Sequence, residues 1–176
     1  VPGAFHGFEL GVRAILGQQV TVKAATTLSC RFVEAFGEVF VTPLAELNRL
    51  TPRAARVAAV SVDDIARLGI IATRAKSLIA LATAEEAGEL CLEGGRVQSP
   101  DEFVERLVAL PGIGSWTAHY MAMRTLRWPD AFPKEDIVVR KRLGGLTARQ
   151  AEETSQAWRP WRSYAVMHVW GLPPSS

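Results

Sequence analysis

Apolar residues recur at helical spacing along most of the chain. Phe8, Val12, Ile15 and Leu16 form one stripe, Gly17 interrupts it, and Ala24, Leu28, Phe32 and Phe36 resume the period before Gly37 supplies a C-cap. Residues from about Phe5 to Phe36 therefore read as a first helical block. Thr42-Pro43 and Thr51-Pro52 each pair an N-cap residue with a proline at the first helical position, which predicts two further short helices. Ser61 opens another, with Asp63 and Asp64 in its first turn, and Gly69 ends it after Leu68. Thr73 to Glu86 brings Ala75, Leu78, Ile79 and Ala82 to one inward face, and Gly88 to Gln98 reads as a loop. No stretch alternates apolar and polar residues over a strand's length, so the expected class is all-α.

The next stretch is the one around which the chain is organised, a pair of helices over about residues 101–125. Ser99-Pro100-Asp101-Glu102 has the form of a capping box with proline at N1, and Phe103, Leu107 and Leu110 mark one face of the helix it opens. Pro111, Gly112 and Gly114 stop that helix, because proline cannot continue the hydrogen-bond ladder and glycine admits turns closed to other residues. A second helix starts near Ser115 and carries Trp116, Tyr120 and Met123 at helical spacing. A glycine turn feeding a helix N-terminus leaves backbone N–H groups free and a partial positive charge, which suits a phosphate. An ordinary tight turn between packed helices has the same signature.

Composition narrows the class of protein only broadly. The 176 residues are 48% hydrophobic and 22% charged, which excludes a disordered chain and allows one sizeable core or two small lobes around a cleft. A net charge of +2 permits a nucleic-acid partner without demanding one. Cys30 and Cys91, the two cysteines, lie in apolar helical patterns and are expected to be buried thiols of a cytoplasmic protein. Two thiols cannot hold a four-cysteine iron–sulfur cluster, and three dispersed histidines argue against a catalytic zinc. No signal peptide or membrane-length apolar run is present.

Leu110-Pro111-Gly112-Ile113-Gly114, followed by Thr117-Ala118, resembles the helix-hairpin-helix of the DNA glycosylase superfamily known as HhH-GPD. That family also has a Gly/Pro-rich stretch and an aspartate downstream, and Phe132-Pro133-Lys134-Glu135-Asp136 falls where the aspartate belongs. Trp158-Arg159-Pro160-Trp161-Arg162-Ser163-Tyr164-Ala165 and Arg13-Ala14-Ile15-Leu16-Gly17-Gln18-Gln19-Val20 are similar to the alkylpurine branch, the 3-methyladenine DNA glycosylase II (AlkA-type) family. The similarity runs through nearly all of residues 1–176 as one helical domain, without the extra N-terminal domain that the family usually has.

The resemblance implies two helical lobes around a cleft and a monomer that acts on double-stranded DNA in a bacterial-type cytoplasm. It implies a base-excision repair enzyme that flips out and hydrolyses alkylated purines of the 3-methyladenine and 7-methylguanine type. Asp136 would be the catalytic carboxylate, with Glu135 a decoy ranked below it; read from the residues alone, Asp136 is a carboxylate at a helix N-terminus, favoured there by the macrodipole, and its family position is what points to catalysis. Trp116, Tyr120 and Trp170 would form the base pocket, since a cationic alkylpurine is attracted to an electron-rich aromatic face. Gly112, Ile113, Gly114 and Ser115 would contact the DNA backbone, Arg140 a phosphate, and Gln19 would fill the gap left by the flipped base. Capping of helix ends is the alternative for Gln18-Gln19, and a solvated charged turn the alternative for Arg140-Lys141-Arg142.

Bifunctional members of the superfamily have a lysine where this chain has Trp116, so strand-cleaving lyase chemistry is not expected. No cofactor is required by this reading, although the family hairpin can hold a monovalent cation on backbone carbonyls. The other tryptophans, Trp128, Trp158 and Trp161, are expected in the core, and His168 in a packed, hydrogen-bonded position. The competing readings are a glycosylase for another damaged base and a non-catalytic DNA-binding module that uses the hairpin alone.

Overall fold

In the computed structural model, which describes residues 1–92 and 99–173, ten α-helices follow one another in two lobes. The first lobe is built from α1 (Gly7–Leu16), α2 (Val22–Phe36), α3 (Ala54–Ala58), α4 (Val62–Ala66), α5 (Ala72–Glu86), α6 (Pro100–Val108) and most of α7 (Ser115–Thr125). The second consists of α8 (Ile137–Arg142), α9 (Ala148–Ser155), a 3₁₀ turn over Gln156–Trp158, and α10 (Arg162–Gly171). Helix α7 serves both cores: Ala118, Met121 and Ala122 face the first, and Met123 faces the second. Trp128 packs against both and forms the joint.

The first core gathers Phe8, Ile15, Leu16, Phe32, Leu78, Leu81, Phe103 and Leu107, all essentially without solvent contact. Each such side chain contributes about 1.5–3 kcal/mol relative to exposure. Helix α1 lies close against α5 and α7, with Gly11 at the contact. A Cβ on Gly11 would come within 2.6 Å of Leu81 Cδ2 and 2.8 Å of Met121 Cε.

Several expectations are corrected at this level. Thr42-Pro43 opens no helix. The Thr42 hydroxyl lies 2.7 and 2.9 Å from the carbonyls of Leu44 and Leu47 and accepts from Leu44 N–H at 3.1 Å, so it is used in a turn instead. Leu44 and Leu47 are exposed and offer no inward face, and Val39 and Arg49 pair in a single antiparallel β-bridge. Helix α3 starts at Ala54, after Arg53 rather than after Thr51. Ser99 is the N-cap of α6, but its side chain makes no capping hydrogen bond, so proline at N1 acts there without the capping box. The Gly88–Gln98 loop lies in part outside the described residues.

Cys30 is exposed because Phe32 is the one residue of α2 that is fully buried, with Leu28 and Phe36 partly so, and Cys30 falls on the opposite side of that stripe. Trp161 and His168 are also exposed, whereas Trp128 and Trp158 pack into the second core as expected. Full capping boxes open α4 at Ser61–Asp64 and α9 at Thr147–Gln150. Among the described residues no helix is long and apolar enough to cross a membrane.

Candidate active site

The hairpin is where the lobes meet. Gly112 turns the chain with φ at +76°, a conformation that costs any residue with a Cβ about 1–2 kcal/mol. Its backbone also lies so close to α5 that an added Cβ would be 2.2 Å from Ser77 Oγ. Gly114 differs: it is the N-cap of α7 in extended conformation, and a Cβ there would meet nothing within 4 Å. Gly112 is therefore demanded by the fold, while Gly114 keeps open the approach to the first-turn N–H groups of α7. Ile113 between them is buried and anchors the turn in the first core. Ser115 begins α7, with its carbonyl 2.9 Å from His119 Nδ1 and its hydroxyl 3.3 Å from the same atom.

A cleft of about 890 Å³ opens between this hairpin and the second lobe. Its walls are the α1–α2 connection at Gly17–Val20, the hairpin with Trp116 and Thr117, and residues 135–138 at the start of α8. Val108, Ile137 and Val138 form an exposed apolar lip around it.

Asp136 is the N-cap of α8, and its carboxylate is buried at the cleft wall. Oδ1 accepts from Val139 N–H at 2.8 Å and from the Trp170 indole at 3.3 Å, while Oδ2 accepts from the Trp116 indole at 2.8 Å. The capping role read from the sequence is formed, and the same side chain faces the cleft: three N–H donors from three helices hold one carboxylate in one orientation. Glu135 also lines the cleft, and its Oε2 is buried without a hydrogen-bond partner, in contrast to its neighbour.

The three aromatics are brought together, but not as equal walls of one pocket. Trp116 and Tyr120 stack with centroids 5.4 Å apart and planes 4° from parallel, and Trp170 tilts against Tyr120 at 6.3 Å. Trp116 lines the cleft, and Tyr120 is stacked on its indole.

Gln18 and Gln19 have different surroundings. Gln18 Nε2 donates to the Gly112 carbonyl and to Thr117 Oγ1, both at 3.1 Å, so it caps the hairpin. Its own carbonyl accepts from the Arg74 guanidinium, which gives that side chain a structural partner. Gln19 is exposed at the cleft with a left-handed φ of +53°. Arg140 does not line the cleft; its Nε donates to the Leu146 carbonyl at 2.8 Å and braces the turn after α8. Arg142 likewise bonds the Val169 carbonyl, leaving Lys141 exposed.

Sequence reasoning missed the cluster behind the site, in which buried Asp130 and Arg162 are joined by the exposed Arg159. The only sequence signal for that cluster was the arginines within the Trp158–Ala165 stretch, whose acidic partner lies 32 residues away from Arg162. Among the described residues no three His, Cys, Asp or Glu side chains converge as a metal set.

Residues 12–163 match the model of the HhH-GPD superfamily of base excision DNA repair proteins. The chain is 37% identical over 171 residues to DNA-3-methyladenine glycosylase 2 of Escherichia coli, covering 97% of this chain and 59% of that protein. It is 36% identical over 178 residues to a probable bifunctional transcriptional activator/DNA repair enzyme AlkA of Mycobacterium tuberculosis, covering 97% of this chain and 34% of that one. The fold is similar to a 3-methyladenine DNA glycosylase of Schizosaccharomyces pombe in complex with abasic DNA, with a TM-score of 0.71 at 22% identity over 97% of this chain and 82% of that one. The chain thus spans three-fifths or less of the length of these two curated relatives.

Proposed function

The chain belongs to the HhH-GPD superfamily, and from its site we propose that it is a monofunctional DNA glycosylase that flips alkylated purines out of duplex DNA and hydrolyses them. The observation that carries the reading is the buried carboxylate of Asp136, held by Trp116, Trp170 and Val139 at the wall of a cleft whose other side is the hairpin.

The hairpin and the first turn of α7 bind the DNA backbone through N–H groups that lack intrahelical acceptors. The carbonyls of Leu110, Gly112 and Gly114 each accept one hydrogen bond and each keep a second lone pair, which is the donor chemistry a monovalent cation takes. Such a cation would add positive charge toward the phosphate. Gln19 fills the stack, and the extruded base rests on the free face of Trp116, where its positive charge adds a cation–π attraction to stacking.

A cationic alkylbase leaves as a neutral molecule, so no general acid is needed and one carboxylate suffices. The sugar left behind has oxocarbenium character. An anion about 4 Å away stabilises it by about 4 kcal/mol at an effective dielectric near 20, roughly a thousandfold in rate. The Asp136 carboxylate supplies that anion and accepts a proton from the adding water. Trp116 provides no amine for attack on the sugar, and Lys134 is not among the residues lining the cleft, so the product is an abasic site in an intact strand. The enzyme acts as a monomer.

The test is single-turnover base release from methylated duplex DNA, comparing the protein with Asp136→Asn and scoring strand breaks without alkali. Release that collapses in the variant, with no nicking in either, is the expected result. Release unchanged by the substitution overturns the role of Asp136, and nicking overturns the monofunctional reading. DNA binding without release points instead to another lesion or to a binding module.

A further inference from the structure

Behind the site, α10 holds the segment that carries Asp136 through an unusually complete set of contacts. Between α7 and α8 the chain runs without helix from Trp128 to Asp136, and four consecutive carbonyls in it lie within hydrogen-bond distance of donors in the first turn of α10, two of them sharing the single Ser163 hydroxyl proton. Ser163 Oγ is 2.7 Å from the Trp128 carbonyl and 3.0 Å from that of Ala131, and Ser163 N–H donates to Pro129 at 2.8 Å. The Arg162 guanidinium donates to the Asp130 carbonyl at 2.7 Å and grips the Asp130 carboxylate at 2.8 and 3.0 Å. Glu152 and Arg159 complete the cluster at 3.1 and 2.6 Å. Asp130, Arg162 and Ser163 are all buried.

The far end of the same helix carries Trp170, whose indole touches Asp136. From Arg162 to Trp170 is eight residues, about 12 Å of helix. One end of α10 therefore grips the start of the segment while the other end touches the carboxylate at its finish. The grip fixes where the segment starts, while nearer the carboxylate Phe132 and Val139 are buried in the second core and Arg142 bonds the Val169 carbonyl, so the register of Asp136 against Trp170 depends on both ends of α10.

The geometry points to Arg162, with Asp130 and Ser163, as positioning residues for Asp136: the buried cluster holds the carboxylate in register with Trp170 and, through it, with Trp116. This rests on the glycosylase reading for its kinetic consequence but not for its structural one. A buried ion pair is weak evidence of a purely stabilising role, since apolar replacements of similar volume often do as well. Here the pair ties two elements that meet again at the reacting group.

The test uses Arg162→Lys, which keeps the charge and loses the planar fork, and Ser163→Ala, which keeps the ion pair and loses two carbonyl contacts. Indole N–H resonances are followed by NMR, with single-turnover release from methylated duplex and binding to a duplex bearing an abasic-site analogue. Trp128, Trp158 and Trp161 lie beside the cluster and shift in either case, whereas Trp116 and Trp170 report the carboxylate. In the folded variants the Trp116 and Trp170 resonances are expected to move, binding to hold within about threefold, and release to slow by about 10–100-fold, the loss that a displacement near 1 Å brings.

Shifts confined to the three nearby tryptophans, or an unchanged rate of release, overturn the proposal, as does failure of both variants to fold. If the unsubstituted protein releases no base, the glycosylase reading falls while the resonances still decide the positioning.

Discussion

Gly112→Ala measures how tightly the hairpin is seated on the first lobe. Two costs arise from separate features of the site. A side chain at φ +76° costs about 1–2 kcal/mol. The new Cβ would also sit 2.2 Å from Ser77 Oγ, and Ser77 is buried on α5 with its hydroxyl bonded to the Thr73 carbonyl at 3.0 Å, so its displacement adds an overpacking cost of about 1–3 kcal/mol. The sum is about 2–5 kcal/mol, and for a chain of this length about 2–4 °C of melting temperature is lost per kcal/mol, so the midpoint falls by roughly 4–20 °C. Ser77→Ala distinguishes the two costs. It removes the clashing oxygen and leaves Ser77 Cβ at an ordinary 3.6 Å from the new methyl. The double variant should regain the overpacking share, about 1–3 kcal/mol, and keep only the backbone strain. Denaturant melts of the four proteins in this cycle supply the coupling. Additivity within about 0.5 kcal/mol would refute the reasoning, because it would mean that the hairpin does not press on α5 at Ser77.

Gly114→Ala should behave in the opposite way: its melt stays within about 0.5 kcal/mol of the unsubstituted protein, since nothing lies within 4 Å of the added Cβ, while duplex affinity measured by anisotropy falls. A large stability loss, or intact affinity, would count against an open backbone approach there. Trp116→Phe keeps an aromatic ring but removes the N–H bond to Asp136 Oδ2; a hydrogen bond to a charged group contributes about 1.5–3 kcal/mol, so single-turnover base release slows by about 10–100-fold. A change of less than twofold would show that this donor does not hold the carboxylate. Exposed Cys30 should react in the folded protein with a disulfide reagent at close to the rate of a free thiol, and Cys30→Ser should abolish that fast phase.

What the sequence determines by itself is local. The apolar period along the chain, the caps at Ser61 and Thr147 and the stop at Pro111–Gly114 specify the helices and their order, because a cap or a glycine acts within a few residues of its own position. Asp136 and Trp116 could be singled out because their neighbours resemble a family motif, and the glycine turn could be read as a backbone site. Local signals also mislead where burial decides: Thr42-Pro43 has the chemistry of a helix start, but with Leu44 and Leu47 in solvent no packing rewards a helix there. Tertiary structure decided everything that depends on distant partners. It separated Gln18 from Gln19, turned Arg140 to a carbonyl, stacked Tyr120 on Trp116, and joined Asp130 to Arg162. Such pairings leave no periodic trace, because the groups that satisfy a buried charge or orient a carboxylate are chosen by proximity in the fold and not by spacing along the chain.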